Sequence, residues 1–176
     1  SRRMLRLPDL IFTVEPLATL GERLCLLRRR VSATGTAGGA FDVAAYEMEH
    51  VGVLELDDDG RCGAFDTFAA DQLAAAICRL YERHAAQLPE GPARARAAGA
   101  ARALDDLYFH LLERDRLGRP FAADVAWVDH RVAGVGALRG EAAVLDAIAA
   151  FLNLVEDASW RVDAILACTA DVLLTR

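Results

Sequence analysis

Two side chains combine a titratable group with apolar neighbours, and the first of them is His50. It stands among Tyr46, Met48 and Leu54 on one face of a long predicted strand. An imidazole in that position could meet a bound ligand and serve as a general acid or base, or it could be a satisfied core histidine. Burial should lower the pKa of the ring below its free value, unless a carboxylate lies beside it.

The second candidate is Asp129, at the end of a short apolar stretch. By strand alternation its side chain shares a face with Val125 and Trp127. A carboxylate beside apolar surface has a raised pKa, which suits a general base. The alternative is a structural aspartate that caps the loop 132–136 or pairs with Arg131. The sequence leaves both interpretations open.

Other common catalytic patterns do not occur in the sequence. The four cysteines include no Cys-x-x-Cys pair and no histidine at metal-ligand spacing, which predicts buried or half-buried free thiols, no metal and a cytoplasmic location. They are Cys25, Cys62, Cys78 and Cys168. The glycines in 33–40 lack the G-x-G-x-x-G spacing and a following helix, so they predict a hairpin loop and not a phosphate site. We expect no cofactor.

The composition excludes several classes of protein. Of the 176 residues, 54% are hydrophobic and 26% are charged, which excludes a disordered chain. No apolar run approaches the ~18 residues of a membrane span. The net charge is −6, and the 20 basic residues are scattered among 26 acidic ones. We therefore expect neither nucleic acid nor a membrane as a partner.

The N-terminal part reads as an antiparallel meander. Short apolar runs alternate with glycine- and aspartate-rich turns, and the even positions of the third run share one mostly apolar face. The predicted strands are 10–17, 23–31, 41–56 and 61–68. Glu47 and Glu49 share the opposite face of the third strand. The run Arg28, Arg29 and Arg30 predicts a solvated sheet edge.

The remainder reads as helices, with one strand between them and a strand pattern at the end. Apolar residues recur at helical spacing after Asp71, a predicted N-cap, and the pattern breaks at a linker, 89–92. The first predicted helix extends from Asp71 to about 86, the second includes Leu104, Leu107, Tyr108 and Leu111, and the third spans 141–155. The predicted strands are 125–131 and the segment 160–174, which has a turn at 169–171. Strands followed by segregated helices indicate an α+β fold.

The two ends of the chain resemble each other. Val14-Glu15-Pro16-Leu17 matches Val162-Asp163-Ala164-Ile165, and Leu24 to Arg28 matches Val172 to Arg176, both at an offset of 148 residues (position 162 against position 14). An offset of about one domain length suggests that the 176-residue chain holds the second half of one repeat and the first half of the next.

Two motifs carry a resemblance to a known family. The segment 121–131 reads Phe-Ala-Ala-Asp-Val-Ala-Trp-Val-Asp-His-Arg and precedes Leu-Arg-Gly-Glu at 138–141, where a helix opens. The segment 53–61 holds Asp-Asp-Asp-Gly-Arg and precedes Phe-Asp at 65–66. When the second half of the chain is placed before the first, these two segments resemble the SnoaL-like polyketide cyclases and ketosteroid isomerases of the nuclear transport factor 2-like superfamily.

The resemblance implies a curved antiparallel sheet wrapped around helices as a cone with an apolar pocket, its halves here in permuted order. It aligns Asp129 with the proton-abstracting carboxylate of the isomerases. Tyr108 lies on the helix that carries their tyrosine, although its spacing to Asp129 is shorter. The ligand-binding residues we expect are Trp127, Tyr46, Met48, Leu54, Tyr108 and Phe151, and the catalytic ones Asp129 and His50.

We therefore expect a SnoaL-like module of a larger bacterial regulatory or multidomain protein that binds a small apolar or aromatic molecule. The alternatives are a cyclase, isomerase or hydrolase of polyketide-like or steroid-like substrates, and a dimerisation domain. The predicted organisation is a sheet-rich half, 1–88, and a helical half, 93–176, which complete one cone within the chain or by swapping in a homodimer. A neighbouring domain of the same chain is the other expected partner.

Overall fold

The computed structural model describes residues 9–34, 45–113, 120–132, 134–155, 157–159 and 161–176. Within them the chain is α+β, with antiparallel sheets and three α-helices, as predicted. It divides into two compact units. We call them the sheet unit, which holds residues up to Leu88 together with Val162–Arg176, and the helical unit, Pro89–Arg161. The predicted linker 89–92 begins at this division, and residues 162–176 belong to the sheet unit.

The sheet unit is built on a four-stranded antiparallel meander in the order β1-β2-β3-β4. Its strands are β1 (Ile11–Leu20), β2 (Leu24–Ala33), β3 (Tyr46–Leu56) and β4 (Cys62–Ala69). Gly21 turns the first hairpin at a φ of +65°, a left-handed conformation that glycine adopts without steric cost. The predicted start of β3 at 41–44 lies outside the described residues. The described strands do not close into a barrel.

Helix α1 (Leu73–Gln87) covers one face of this sheet, which we call the helix face. Its buried side chains include Ile77 and Leu80, and the strands below contribute Val51 and Val53, all of them inaccessible to solvent. The residue at the N-cap is Gln72 and not the predicted Asp71. The backbone N–H of Ala69 donates to the Gln72 side chain at 3.1 Å, so this side chain closes the loop before the helix.

The opposite face of the sheet, which we call the far face, holds the side chains at the even positions of β3 and those of their cross-strand partners. Strand pairing places Val31, Arg29 and Leu27 of β2 beside Met48, His50 and Gly52 of β3. The predicted apolar face of β3 is therefore confirmed over its described length. The far face of the sheet also includes Phe12, Val14, Leu54 and Phe65.

The charge run of β2 divides between the two faces. Arg28 and Arg30 lie on the helix face and form ion pairs with Glu49, with N–O distances of 3.4 and 2.6 Å. Arg29 lies on the far face, opposite His50. The prediction of a solvated sheet edge is therefore wrong, because β2 lies between β1 and β3 and strand alternation divides its arginines between the two faces.

The helical unit begins with α2 (Pro92–Asp105), which continues into one π-helical turn, Asp106–His110. A short antiparallel hairpin follows, β5 (Ala126–Val128) with β6 (Ala137–Arg139), and then α3 (Glu141–Leu152). The predicted strand 125–131 and helix 141–155 are thus shorter than expected, and β6 was not predicted. The core of the unit consists of Leu111, Val144, Ile148 and Leu152.

The C-terminal hairpin, β7 (Ile165–Cys168) with β8 (Leu173–Thr175), confirms the strand pattern predicted there. The side-chain oxygen of Thr169 accepts from the backbone N–H of Asp171 and Val172 at 3.3 and 3.0 Å, which closes the turn. The Tyr81 hydroxyl of α1 donates to the Thr169 carbonyl at 2.6 Å. The hairpin is therefore part of the sheet unit. That the two halves of the chain complete one cone stays a prediction.

Candidate functional site

A cavity of about 510 Å³ lies in the helical unit, between α3 and the β5–β6 hairpin. Its walls are mostly apolar and come from both elements. The principal wall residues are Trp127, Leu138, Val144, Ala147, Ile148 and Phe151. Polar groups are contributed by Arg131, Asp157 and Ser159. A concave apolar site with a few polar groups is the usual form of a small-molecule site.

The period of α3 explains which of its side chains reach this cavity. Val144, Ile148 and Phe151 recur at i, i+4 and i+7, so they form one stripe along the helix. Val144 and Ile148 are buried, whereas Phe151 is 52% exposed. Ala147 stands beside the stripe with only a methyl group. The small side chain leaves space that a larger one would fill.

Trp127 provides the aromatic wall on the opposite side. It pairs across the hairpin with Leu138, so both side chains lie on the face of the hairpin that meets α3. The indole contacts Phe121 edge to face, with ring centroids 6.0 Å apart. Such a contact restrains the indole and keeps the wall in place.

Asp129 is engaged with its own loop. Its carboxylate accepts from Arg131 Nε at 2.9 Å, from Arg131 Nη2 at 2.6 Å and from the backbone N–H of Val135 at 3.2 Å. Only 5% of its side chain is exposed. Hydrogen bonds from the Arg131 side chain and backbone hold the pKa of this carboxyl far below its ordinary value.

The expected raised pKa of Asp129 is therefore wrong, and the reason is the arginine two residues away. Desolvation does raise the pKa of this carboxyl, but the hydrogen bonds to its charged form outweigh that effect. A Cβ on Gly134 would overlap the Asp129 carboxyl, so the loop closes tightly over this group. The geometry corresponds to the alternative in which Asp129 caps the loop and pairs with Arg131.

Arg131 is the charged group at the edge of the cavity. Its side chain is 81% exposed and contributes to the cavity wall, while Asp129 fixes one edge of its guanidinium. The same pairing raises the pKa of Arg131. The cavity therefore has a permanently positive group at its rim.

His50 lies in the sheet unit, where the structure confirms its predicted burial. Only 8% of it is exposed. Desolvation lowers the pKa of the ring from its ordinary value of 6.5, and the neighbouring Arg29 lowers it further. The described strands place no carboxylate on the far face, so none is present there to raise the pKa of His50 again.

The remaining expected residues fall into two sets. Trp127 and Phe151 join the cavity of the helical unit, whereas Tyr46, Met48 and Leu54 lie on the far face of the sheet unit. The described cavity wall does not include Tyr108, which lies in the π-helical turn.

Several cavity residues give no clear signal in the sequence, for identifiable reasons. Leu138 was missed because β6 was not predicted. Ala147 was missed because a small residue gives no hydrophobic signal. Arg131 was considered only as a partner of Asp129, although its position after β5 places it at the same hairpin end.

The possible metal ligands and the cysteines of the described residues are as follows. In the described ranges, no group of three or more histidine, cysteine or acidic residues could hold a metal ion. All four cysteines are free thiols, as predicted. Cys62 is exposed, contrary to the expectation of burial, because it begins the edge strand β4.

Comparison with known proteins gives no further constraint. Neither a protein-family model, nor a curated protein, nor a solved structure matches the chain. None of the described helices is both long enough and apolar enough to cross a membrane.

Proposed function

We propose that the helical unit binds a small apolar or aromatic molecule in its cavity, and that the chain is a SnoaL-like module of a larger protein. The observation that carries the binding function is the cavity of about 510 Å³ with Trp127 and Phe151 among its walls. Flat aromatic walls and branched aliphatic ones favour an apolar ligand of similar shape. The polar rim would orient the ligand.

One local feature supports the proposed family; the cone and the permuted order of its halves are further parts of the same proposal. The carboxylate of Asp57 accepts from the backbone N–H of Asp59 and Arg61 at 3.0 and 2.8 Å, so the Asp-to-Arg motif forms a defined turn. Both terminal hairpins are antiparallel and carry a register irregularity in their first strand, between Pro16 and Ala18 and between Ile165 and Ala167. The two irregularities lie 149 positions apart (position 165 against position 16), one more than the offset of the sequence match, so they do not fall on equivalent residues.

The rival functions have weaker support. An enzyme that uses Asp129 as a general base needs a carboxylate that takes up protons near neutral pH, and Arg131 opposes this. A pure assembly module has no need of an open cavity of this size. Binding is therefore the function we propose, with a homodimer or a neighbouring domain as the partner that reads the bound state.

Binding can be tested with N-phenyl-1-naphthylamine, an uncharged probe that fluoresces in apolar surroundings. Ala147→Phe places a ring in the cavity, whereas Ala142→Phe places the same ring on an exposed position of the same helix. We expect the wild-type protein and Ala142→Phe to bind the probe with equal affinity. Ala147→Phe should weaken binding at least tenfold, because the added ring occupies the space of the ligand.

Circular dichroism and thermal unfolding would establish that both variants are folded. Equal binding by all three proteins would place the probe elsewhere and contradict the proposal. The same conclusion follows if the wild-type protein shows no saturable fluorescence.

A further inference from the structure

We propose that the far face of the sheet unit carries a second binding site, for a carboxylate attached to an apolar body, with Arg29 as the anion anchor and His50 as a neighbouring donor. This site lies in the other unit and is independent of the cavity proposed above.

The first observation is that Arg29 lacks the partners that its neighbours have. Arg28 pairs with Glu15 at 2.9 Å, and Arg30 pairs with Glu49 at 2.6 Å. Arg29 points to the far face, where the described strands present no carboxylate. Its Nε is buried and has no hydrogen-bond partner among the residues that the structure describes. A buried N–H group without an acceptor is costly, and an anion that accepted from it would relieve that cost.

Two aromatic rings hold this guanidinium. Its central carbon lies 5.0 Å from the centroid of the Phe12 ring and 5.2 Å from that of Phe65. The Phe65 ring rests on Gly52, where a Cβ would overlap it. Cation–π contacts leave the N–H groups at the edge of the guanidinium free to donate in its plane. A restrained planar fork of donors matches the two oxygens of a carboxylate.

His50 adds a donor at the same place. It is the cross-strand partner of Arg29 on the far face. The ring is 8% exposed and forms no hydrogen bond to another described residue. A neutral imidazole carries one N–H group, which an acceptor bound to Arg29 could engage. Arg29 and His50 are thus neighbours on one face, and no hydrogen bond joins either side chain to another described residue.

The charge and surroundings of the site define the class of ligand. One permanent cation beside a neutral histidine suits a monoanion better than a phosphate dianion. Val14 and Met48 flank the pair on the same face and are 49% and 45% exposed. These apolar side chains can cover the body of the ligand, whereas a free inorganic anion would leave them in water.

Benzoate is a suitable probe, and benzamide is its uncharged counterpart of nearly the same shape. We expect benzoate to shift the NMR signals of the Arg29 Nε–H group and of the His50 ring in a saturable manner, with a dissociation constant in the millimolar range. Benzamide should shift them at least tenfold more weakly. Ala147→Phe should leave the benzoate titration unchanged, which separates this site from the cavity of the helical unit.

Adjacent arginines provide the matched variants. Arg29→Gln should weaken benzoate binding at least tenfold, whereas Arg30→Gln, one residue away on the helix face, should change it less than twofold. Arg29→Lys keeps the charge but not the fork, so it should bind benzoate with intermediate affinity.

The proposal fails if benzoate and benzamide shift the wild-type signals equally, or if neither does. It also fails if Arg29→Gln and Arg30→Gln weaken binding to the same extent, since the effect would then be one of net charge. Should Arg29→Gln not fold, the wild-type comparison of the two probes and the Arg29→Lys variant decide the matter.

Discussion

At the scale of single side chains, the pKa of Asp129 and that of His50 are both lowered, for different reasons. Hydrogen bonds from Arg131 stabilise the charged form of Asp129. Burial and the charge of Arg29 disfavour the charged form of His50. At neutral pH Asp129 is therefore a fixed anion and His50 a neutral ring. The first acts on the loop of its hairpin, and the second is available as a donor.

Asp129→Asn tests the structural role of the carboxylate. The amide keeps the shape but loses the ion pair with Arg131, so we expect the melting temperature at pH 7 to fall by a few degrees. Asp124→Asn, an exposed acid of the same segment, should leave it unchanged.

The pH dependence of this effect has a definite sign. Because the folded-state pKa of Asp129 is depressed, its stabilisation is present above the ordinary value of 3.8 and is lost as the pH falls further. The difference between wild type and Asp129→Asn should therefore shrink in acid, as followed by thermal unfolding. An equal melting temperature for both proteins at pH 7 would remove the structural role.

His50→Gln tests the buried histidine. Since the folded-state pKa lies below 6.5, the unfolded chain binds a proton at His50 that the folded chain does not, and stability falls as the pH drops below that value. We expect the variant to lose stability less steeply between pH 6.5 and the folded-state pKa, as measured by urea unfolding. An unchanged slope would show that His50 titrates alike in both states.

At the scale of elements, α1 is attached to its sheet by an ionic network beside the apolar contacts. Arg83 donates to Asp66 at 2.7 Å and also contacts Glu55, and Arg79 donates to Asp66 at 2.9 Å. Hydrogen bonds from Gln87 and Arg83 lower the pKa of Glu55, and those from Arg83 and Arg79 lower that of Asp66. The network fixes the rotation of α1 on the helix face.

Arg83→Gln should destabilise the protein by about 1–3 kcal/mol at pH 7, because two half-buried carboxylates lose their shared partner. Arg61→Gln is the matched control, since its ion pair with Asp59 is exposed and contributes about 0–1 kcal/mol. The loss should diminish as the pH falls below the ordinary values of 4.5 for Glu55 and 3.8 for Asp66, because the unfolded chain then takes up protons that the folded carboxylates, with their lowered pKa values, do not. Urea unfolding measures both effects, and equal losses for the two variants would contradict the role of the network.

The elements themselves could be predicted where the local pattern was long. Alternation over β3 and the glycine turn at Gly21 led to the meander, and helical spacing led to α1 and α3. The hairpin β5–β6 was read as one strand and a loop, because three-residue strands have too few alternations to stand out. The turn of this hairpin is closed by hydrogen bonds from backbone N–H groups to the Asp129 carboxylate. A pattern of hydrophobic residues does not reveal such contacts.

At the scale of the whole molecule, the candidate site could be predicted only in part. Trp127 and Phe151 were found because aromatic residues on apolar stripes carry a strong signal. His50 was expected to serve the same pocket, but it belongs to the sheet unit, whereas the cavity belongs to the helical unit. Hydrophobic periodicity assigns residues to faces and does not say which faces share a cavity.

The central claim is that the helical unit binds a small apolar molecule in its cavity. Methyl NMR of the labelled protein during titration with N-phenyl-1-naphthylamine tests it most directly, because each methyl group reports its own surroundings. The account predicts that the methyl signals of Leu138, Val144 and Ile148, which all border the cavity, shift together along one saturable binding curve. Signals of the sheet core such as those of Leu26 and Val53 should stay in place. Shifts confined to the sheet core, or no saturable shift at the three cavity residues, would contradict the claim.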